Sequence, residues 1–219
     1  MLVVKYTKKY PMSAISHIDL LRVFQRIIRR AELKVEFSQG FNPHMRLFFS
    51  PPMPLGIDSD CEYVTIETNQ KADQAFLQKF NSICSDGIIA TQMWNVVKNP
   101  NFAKNIDRAE YVLTGDGVDA IKIDANICDK DYTIEYIDKA GELQTQCVGD
   151  LVFECKHDGK DTIKAVLAFG NKNLRADRFF KYLCNKHGVD FNNCKLQKTH
   201  ALVSDRFVED FIDEYVERI

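Results

Sequence analysis

The 219-residue chain lacks any closely spaced pair of cysteines. Its seven cysteines (Cys61, Cys84, Cys128, Cys147, Cys155, Cys184 and Cys194) fall singly, with no C-x-x-C among them. An odd, scattered set predicts reduced thiols rather than a disulfide framework. It also leaves no ligand spacing for an iron–sulfur cluster in this chain. No apolar run is long enough to span a membrane. Residues 1–6 form a strand-like run without a small-residue cleavage signal, so no secretory peptide is expected and a cytoplasmic location is. Phosphate-loop and dinucleotide fingerprints are absent too, which removes the common nucleotide-dependent enzyme classes from the expectations.

What is present is an ordinary globular composition, 45% hydrophobic and 27% charged, with enough apolar residues for one large domain or two small ones. The net charge of −2 hides an asymmetry. The first fifty residues hold nine bases and only three acids, so the remainder carries a net −8. A basic opening segment on an acidic body points to one face suited to an anionic partner.

Read in order, residues 2–10 predict a strand. Ser16 is a good helix N-cap, with Asp19 three residues on as a capping-box-like partner. Leu20, Phe24, Ile27, Ile28 and Ala31 then recur at helical spacing as a buried stripe. Arg22, Arg26 and Arg29 line up on another face of the same helix. Strands are expected at 35–37 and 46–50, then at 61–68 after a proline-rich bend. A helix over 72–83, stopped by Gly87, and a strand over 88–97 follow. The order is βαββαβ, which predicts a ferredoxin-like sheet with both helices on one face. The fold class is therefore α+β, a ferredoxin-like βαββαβ unit followed by a second, strand-rich α+β unit. The expected boundaries are 1–98 for the first domain, 99–108 for a linker and 109–219 for the second. The second has strands at 109–114, 132–137, 143–148, 151–156, 162–169 and 194–203. Its helices are expected at 118–123, 176–186 and 205–218, the last capped by Ser204. Asp158-Gly159 is a strong hairpin turn.

The densest chemistry lies in Ser38-Gln39-Gly40-Phe41-Asn42-Pro43-His44-Met45-Arg46. Gly40 opens backbone angles closed to other residues, and Asn42-Pro43 is a turn dipeptide. The loop offers donors and acceptors of every kind beside one flat aromatic face. As a plain connection, its side chains would simply satisfy its own backbone.

Ser16-His17-Ile18-Asp19-Leu20, Arg22-Val23-Phe24, Arg29-Arg30-Ala31 and Phe37-Ser38-Gln39-Gly40-Phe41-Asn42-Pro43-His44 together resemble the radical-SAM-linked protein family. This is a bacterial domain of uncharacterised function, fused to or encoded beside a radical S-adenosylmethionine enzyme. The resemblance continues through Pro52-Met53-Pro54-Leu55-Gly56 and Ser59-Asp60-Cys61-Glu62-Tyr63, and is specific over residues 3–67. Met45 stands where the family usually has proline, and Met12-Ser13 where a glycine-rich approach is more usual. The resemblance implies a radical SAM enzyme as partner and a role in RNA modification or processing. S-adenosylmethionine and an iron–sulfur cluster would then belong to the partner, with no cofactor in this chain.

Three functions stay open. The first is an accessory, substrate-presenting protein whose RNA-facing residues are Ser16, His17, Arg22, Arg26, Arg29, Ser38, Gln39, Gly40, Phe41, Asn42, His44 and Arg46. Arginines beside an aromatic platform suit RNA, by phosphate contact and base stacking. The second is an RNA-directed, endoribonuclease-like enzyme with His17 and His44 as acid and base. The third is a purely protein-binding scaffold. A metal site needs three or four convergent ligands, which His17, His44 and distant Cys61 do not supply, so none is expected. The two histidines are expected to share one site beside the helix N-terminus, where free amides and the helix dipole favour an anion.

Overall fold

The computed structural model describes residues 1–216. They form two compact units, Met1–Ile106 with the returning segment from Val203, and Asp107–Leu202.

The first unit runs β1 (Leu2–Lys8), α1 (His17–Ala31), β2 (Leu47–Phe49), β3 (Asp58–Ile66), α2 (Gln74–Ile83), β4 (Ile88–Asn95). Its strands lie in the order β4-β1-β3-β2 with every neighbour antiparallel. That is the ferredoxin-like arrangement, and the fold class is α+β. The register sets Leu2 against Ile66, Val4 against Val64 and Tyr6 against Glu62. Alternation then puts Leu2, Val4, Tyr6 and Lys8 of β1 on one face with Glu62, Val64 and Ile66 of β3. Leu20, Val23, Phe24, Ile27, Ile28 and Ala31 of α1 join Leu2, Val4, Tyr6, Val64 and Ile66 in one core with Phe80 of α2. The opposite parity of β3 carries Cys61, Tyr63 and Thr65, all fully buried.

Several boundaries differ from the sequence expectation. β1 stops at Lys8, two residues short of the expected end, although the Lys9 amide still donates to the Gly87 carbonyl at 2.8 Å. The strand expected at 35–37 is reduced to one antiparallel bridge, Phe37 to Met45. The expected linker 99–108 contains a helical turn, α3 (Phe102–Asn105), whose Phe102 ring packs 5.2 Å from that of Tyr63.

The second unit begins with β5 (Arg108–Gly115). The segment 118–123 gives only a 3-10 turn over Val118–Ala120. A separate hairpin follows, β6 (Thr133–Ile137) against β7 (Leu143–Cys147). Then come β8 (Val152–His157), β9 (Thr162–Ala168), α4 (Ala176–Lys186) and β10 (Cys194–Val203). The antiparallel order within this unit is β10-β5-β9-β8. Alternate residues Ala109, Tyr111 and Leu113 of β5 and Ile163, Ala165 and Leu167 of β9 are buried, as a one-sided core requires.

The chain then returns to the first unit, so 109–219 is not one domain. Phe211 and Ile212 are buried on α5 (Val208–Ile212). The Glu209 carboxylate accepts from the Tyr63 hydroxyl at 2.7 Å and pairs with Lys5 at 2.5 Å. Burial alone would raise the Glu209 pKa, but the Lys5 and Tyr63 bonds prevail and lower it. The helix expected over 205–218 is cut short at both ends. Ser204 sits at φ +56° instead of capping, and Val216 leaves the helix to bridge Val96. Residues 217 and 218 of that expected helix lie outside the described residues. Among the described residues no helix is long and apolar enough to cross a membrane.

Candidate functional site

The start of α1 is built by Ser16. Its hydroxyl oxygen accepts from the Asp19 amide at 3.2 Å and donates to the Asp19 carboxylate at 2.7 Å. Arg22 adds a bond to the other carboxylate oxygen at 3.1 Å. These hydrogen bonds, the Ser16 one first, hold Asp19 below the usual carboxylate range. The expected cap is present, with its carboxylate turned to the cap hydroxyl.

One residue on, His17 stands edge-on to the Phe49 ring, with centroids 5.3 Å apart. It borders a small cavity of about 10 Å³ with Lys8, Phe49, Ser50 and Glu62, room for a single water. Lys8 and Glu62 are 4% and 3% exposed, an uncommon depth for charged groups. Lys8 Nζ donates to the Ile15 carbonyl at 3.4 Å, and Ser50 Oγ donates to Glu62 at 3.3 Å. Sequence reasoning missed this pair. The signal was parity, since Lys8 continues the inward series Leu2, Val4, Tyr6, and Glu62 the series Val64, Ile66. Desolvation, then the Lys8 ammonium, lower the His17 pKa, against an upward pull from Glu62.

That shift has a sign. An imidazole easier to protonate unfolded than folded binds more protons in the unfolded state just below its ordinary pKa of about 6.5. Its contribution is therefore flat above that pH and becomes unfavourable as the pH falls. Denaturant unfolding between pH 7 and pH 5 should show His17→Phe losing less stability on acidification than wild type. Equal losses would show that His17 does not carry the effect.

The polar loop closes on itself. Its ends meet at the Phe37–Met45 bridge, and the Ser38 amide donates to the His44 carbonyl at 2.9 Å. Ser38 Oγ lies 2.8 Å from His44 Nδ1 and accepts from the His44 amide at 3.1 Å. Gly40 has φ +121° in open space, so it serves the turn rather than a close approach. Phe41 is fully exposed at 105%. Arg46 is held by Glu67 at 2.8 Å, its guanidinium 6.0 Å from the Phe48 ring centroid. Gln39, Phe41 and Asn42 therefore form the outward part of the loop, and Ser38, His44 and Arg46 the part that shapes it.

The two histidines are not brought together. His17 sits beside Lys8, at the end of β1 where α1 begins. The loop precedes Leu47, which pairs with Ile66, the partner of Leu2 at the other end of β1. A helix of 15 residues, about 22 Å long, separates the two ends. The expected composite site is thus replaced by two places. The cause is topological, since in a βαβ order the connection after the helix returns to the start of the first strand.

Between them runs the arginine face of α1. Asp19, Arg22, Arg26 and Arg29 line an open groove of about 500 Å³ with Met12 and Val23. Arg22 is paired to Asp19, whereas Arg26, Arg29 and Arg30 have no ion-pair partner among the described residues. Burial pushes the Cys84 thiol up to about 11 and Cys155 and Cys184 up to about 12, so these cysteines stay protonated and are poor nucleophiles. No group of three or more His, Cys, Asp or Glu is placed to hold a metal among the described residues.

Fold and surface together define a two-unit α+β protein whose first unit is ferredoxin-like and carries a self-bonded polar loop and an arginine face. A family model described as "Uncharacterized protein conserved in bacteria (DUF2344)" matches residues 1–176, and the chain belongs to that family. A search of curated proteins finds no match. Among solved structures, a chain of "Crystal Structure of a Cbf5-Nop10-Gar1 Complex" is similar at TM-score 0.40 and 10% identity. The match covers 91% of this chain and 48% of that one, so the chain spans about half the length of its structural neighbour.

Proposed function

We propose that this protein is an accessory module that presents an RNA substrate to a radical SAM enzyme, in RNA modification or processing. The observation that carries the RNA part is the run of unpaired arginines, Arg26, Arg29 and Arg30, along α1 towards the end of the unit where Phe41 stands exposed. Phosphates would follow the arginines, and an unpaired base would stack on Phe41. The radical SAM partner comes from the resemblance in residues 3–67. The cofactor and cluster would reside in that partner. The endoribonuclease-like alternative loses its main support, because the loop that carries His44 lies at the other end of β1 from His17.

Binding of a labelled single-stranded RNA, titrated over a salt series, tests the RNA reading. The logarithm of affinity should fall linearly with the logarithm of salt concentration. The double variant Arg26→Ala with Arg29→Ala should lower that slope by about 1.4, at about 0.7 for each phosphate no longer neutralised. Binding indifferent to salt, or a slope unchanged in the variant, would reject it. Failure to copurify with the radical SAM enzyme would reject the partner.

A further inference from the structure

A large cleft of the second unit is unconnected with these residues. It lies between the β6–β7 hairpin and α4 and encloses about 820 Å³, within the size range of small-molecule sites. α4 buries Phe179, Phe180, Leu183 and Cys184 and turns Arg178, Tyr182 and Lys186 to the cleft at helical spacing, with Arg175 just before its first turn. Lys181 adds a further cation to the lining.

The cations have different duties. Arg175 is neutralised by a two-bond fork to Asp177, at 3.0 and 2.6 Å. Lys186 is held by Asp124 at 2.5 Å. Arg178 instead lies over the Tyr136 ring, its guanidinium carbon 4.1 Å from the centroid. Neither Arg178 nor Lys181 has an ion-pair partner among the described residues. The lining acids do not offset them equally, since Asp138 is occupied by the Ala140 and Glu142 amides and by Gln144. Glu135 remains, on the exposed side of the hairpin.

We propose that this cleft binds a phosphorylated nucleoside, with the phosphate at Arg178 and Lys181 and the base against its aromatic side chains. A guanidinium stacked by its face keeps its edge N–H groups for a forked bond to phosphate. A planar base suits the rings of Tyr136 and Tyr182, which line the same space. The ligand is either a free nucleotide or one unpaired nucleotide of a strand. The proposal does not rest on the RNA reading of α1, because the two residue sets share no member.

Calorimetric titration of the full chain tests it with the four ribonucleoside monophosphates, uridine, inorganic phosphate, penta-uridylate and hexaglutamate. Monophosphates should bind and uridine should bind more weakly. Arg178→Ala and, at an exposed position that leaves folding intact, Lys181→Glu should each weaken binding about tenfold or more, the effect of losing one hydrogen bond to a charged group. Arg26→Ala with Arg29→Ala should leave monophosphate affinity unchanged, which separates this site from the α1 groove. Penta-uridylate binding more tightly than the monophosphate identifies a strand as the source, and equal affinity a free nucleotide. Absence of binding by every nucleotide probe overturns the proposal. Affinity unmoved by Lys181→Glu, or hexaglutamate binding as tightly as the nucleotides, overturns it as well.

Discussion

Replacing Phe24 by alanine should destabilise the protein by about 3–5 kcal/mol, the range for large aromatics deleted from a core. Phe24 is fully buried, with its ring 4.7 Å from Tyr6, 5.3 Å from Phe49 and 6.4 Å from Phe80. One side chain thus joins α1 to β1, β2 and α2. The loss combines transfer of the ring to water with a cavity that three aromatic neighbours cannot close without tilting. Against the roughly 5–15 kcal/mol that holds a typical domain, this is a large share. The single tryptophan, Trp94, lies in β4 of the same unit and reports its unfolding by fluorescence in a denaturant titration. A loss under about 1 kcal/mol would mean that the neighbours repack freely, against the rigid-core argument.

Gly149→Ala should be the most damaging glycine substitution in the second unit, at about 3 kcal/mol or more, the upper end for forced overpacking. A Cβ there would stand 1.7 Å from the Asp129 carbonyl oxygen and 2.7 Å from the Lys130 Cα. That carbonyl has no freedom to swing away, because it accepts from the Tyr132 amide at 2.9 Å. Gly159 provides the comparison, with φ +97° and nothing within 4 Å of its Cβ position. Gly159→Ala should therefore cost only the conformational penalty, about 1–2 kcal/mol. Calorimetric melting of the two variants decides the matter, and equal losses would show that the Asp129–Lys130 backbone yields.

The first unit was legible because its local signals agreed. The 3.6-residue stripe from Leu20 to Ala31 began at a serine cap, and strand-like runs stood on either side of two helices, the second stopped before Gly87. What stayed hidden was decided by distant chain. Nothing near Phe37 shows that it will meet only Met45, and nothing near Gly149 shows that Asp129 will press against it. The loop and the helix start were each legible as unusual, but their separation depends on which way β2 returns. Lys8 and Glu62 were readable as inward-facing by parity, yet charge argued for the surface, and parity prevailed because the strand register leaves no choice of face.

The return of the chain from Val203 to the first unit has a consequence for synthesis. On a ribosome Lys5 and Tyr63 emerge long before Glu209, and the whole of Asp107–Leu202 is made in between. The nascent ferredoxin-like sheet can form its helix-covered core early. Its far face, with Lys5 and the Tyr63 hydroxyl, then waits for its carboxylate until the intervening unit has left the tunnel. Such late, sequence-distant closure slows final folding and leaves that face open to other partners meanwhile.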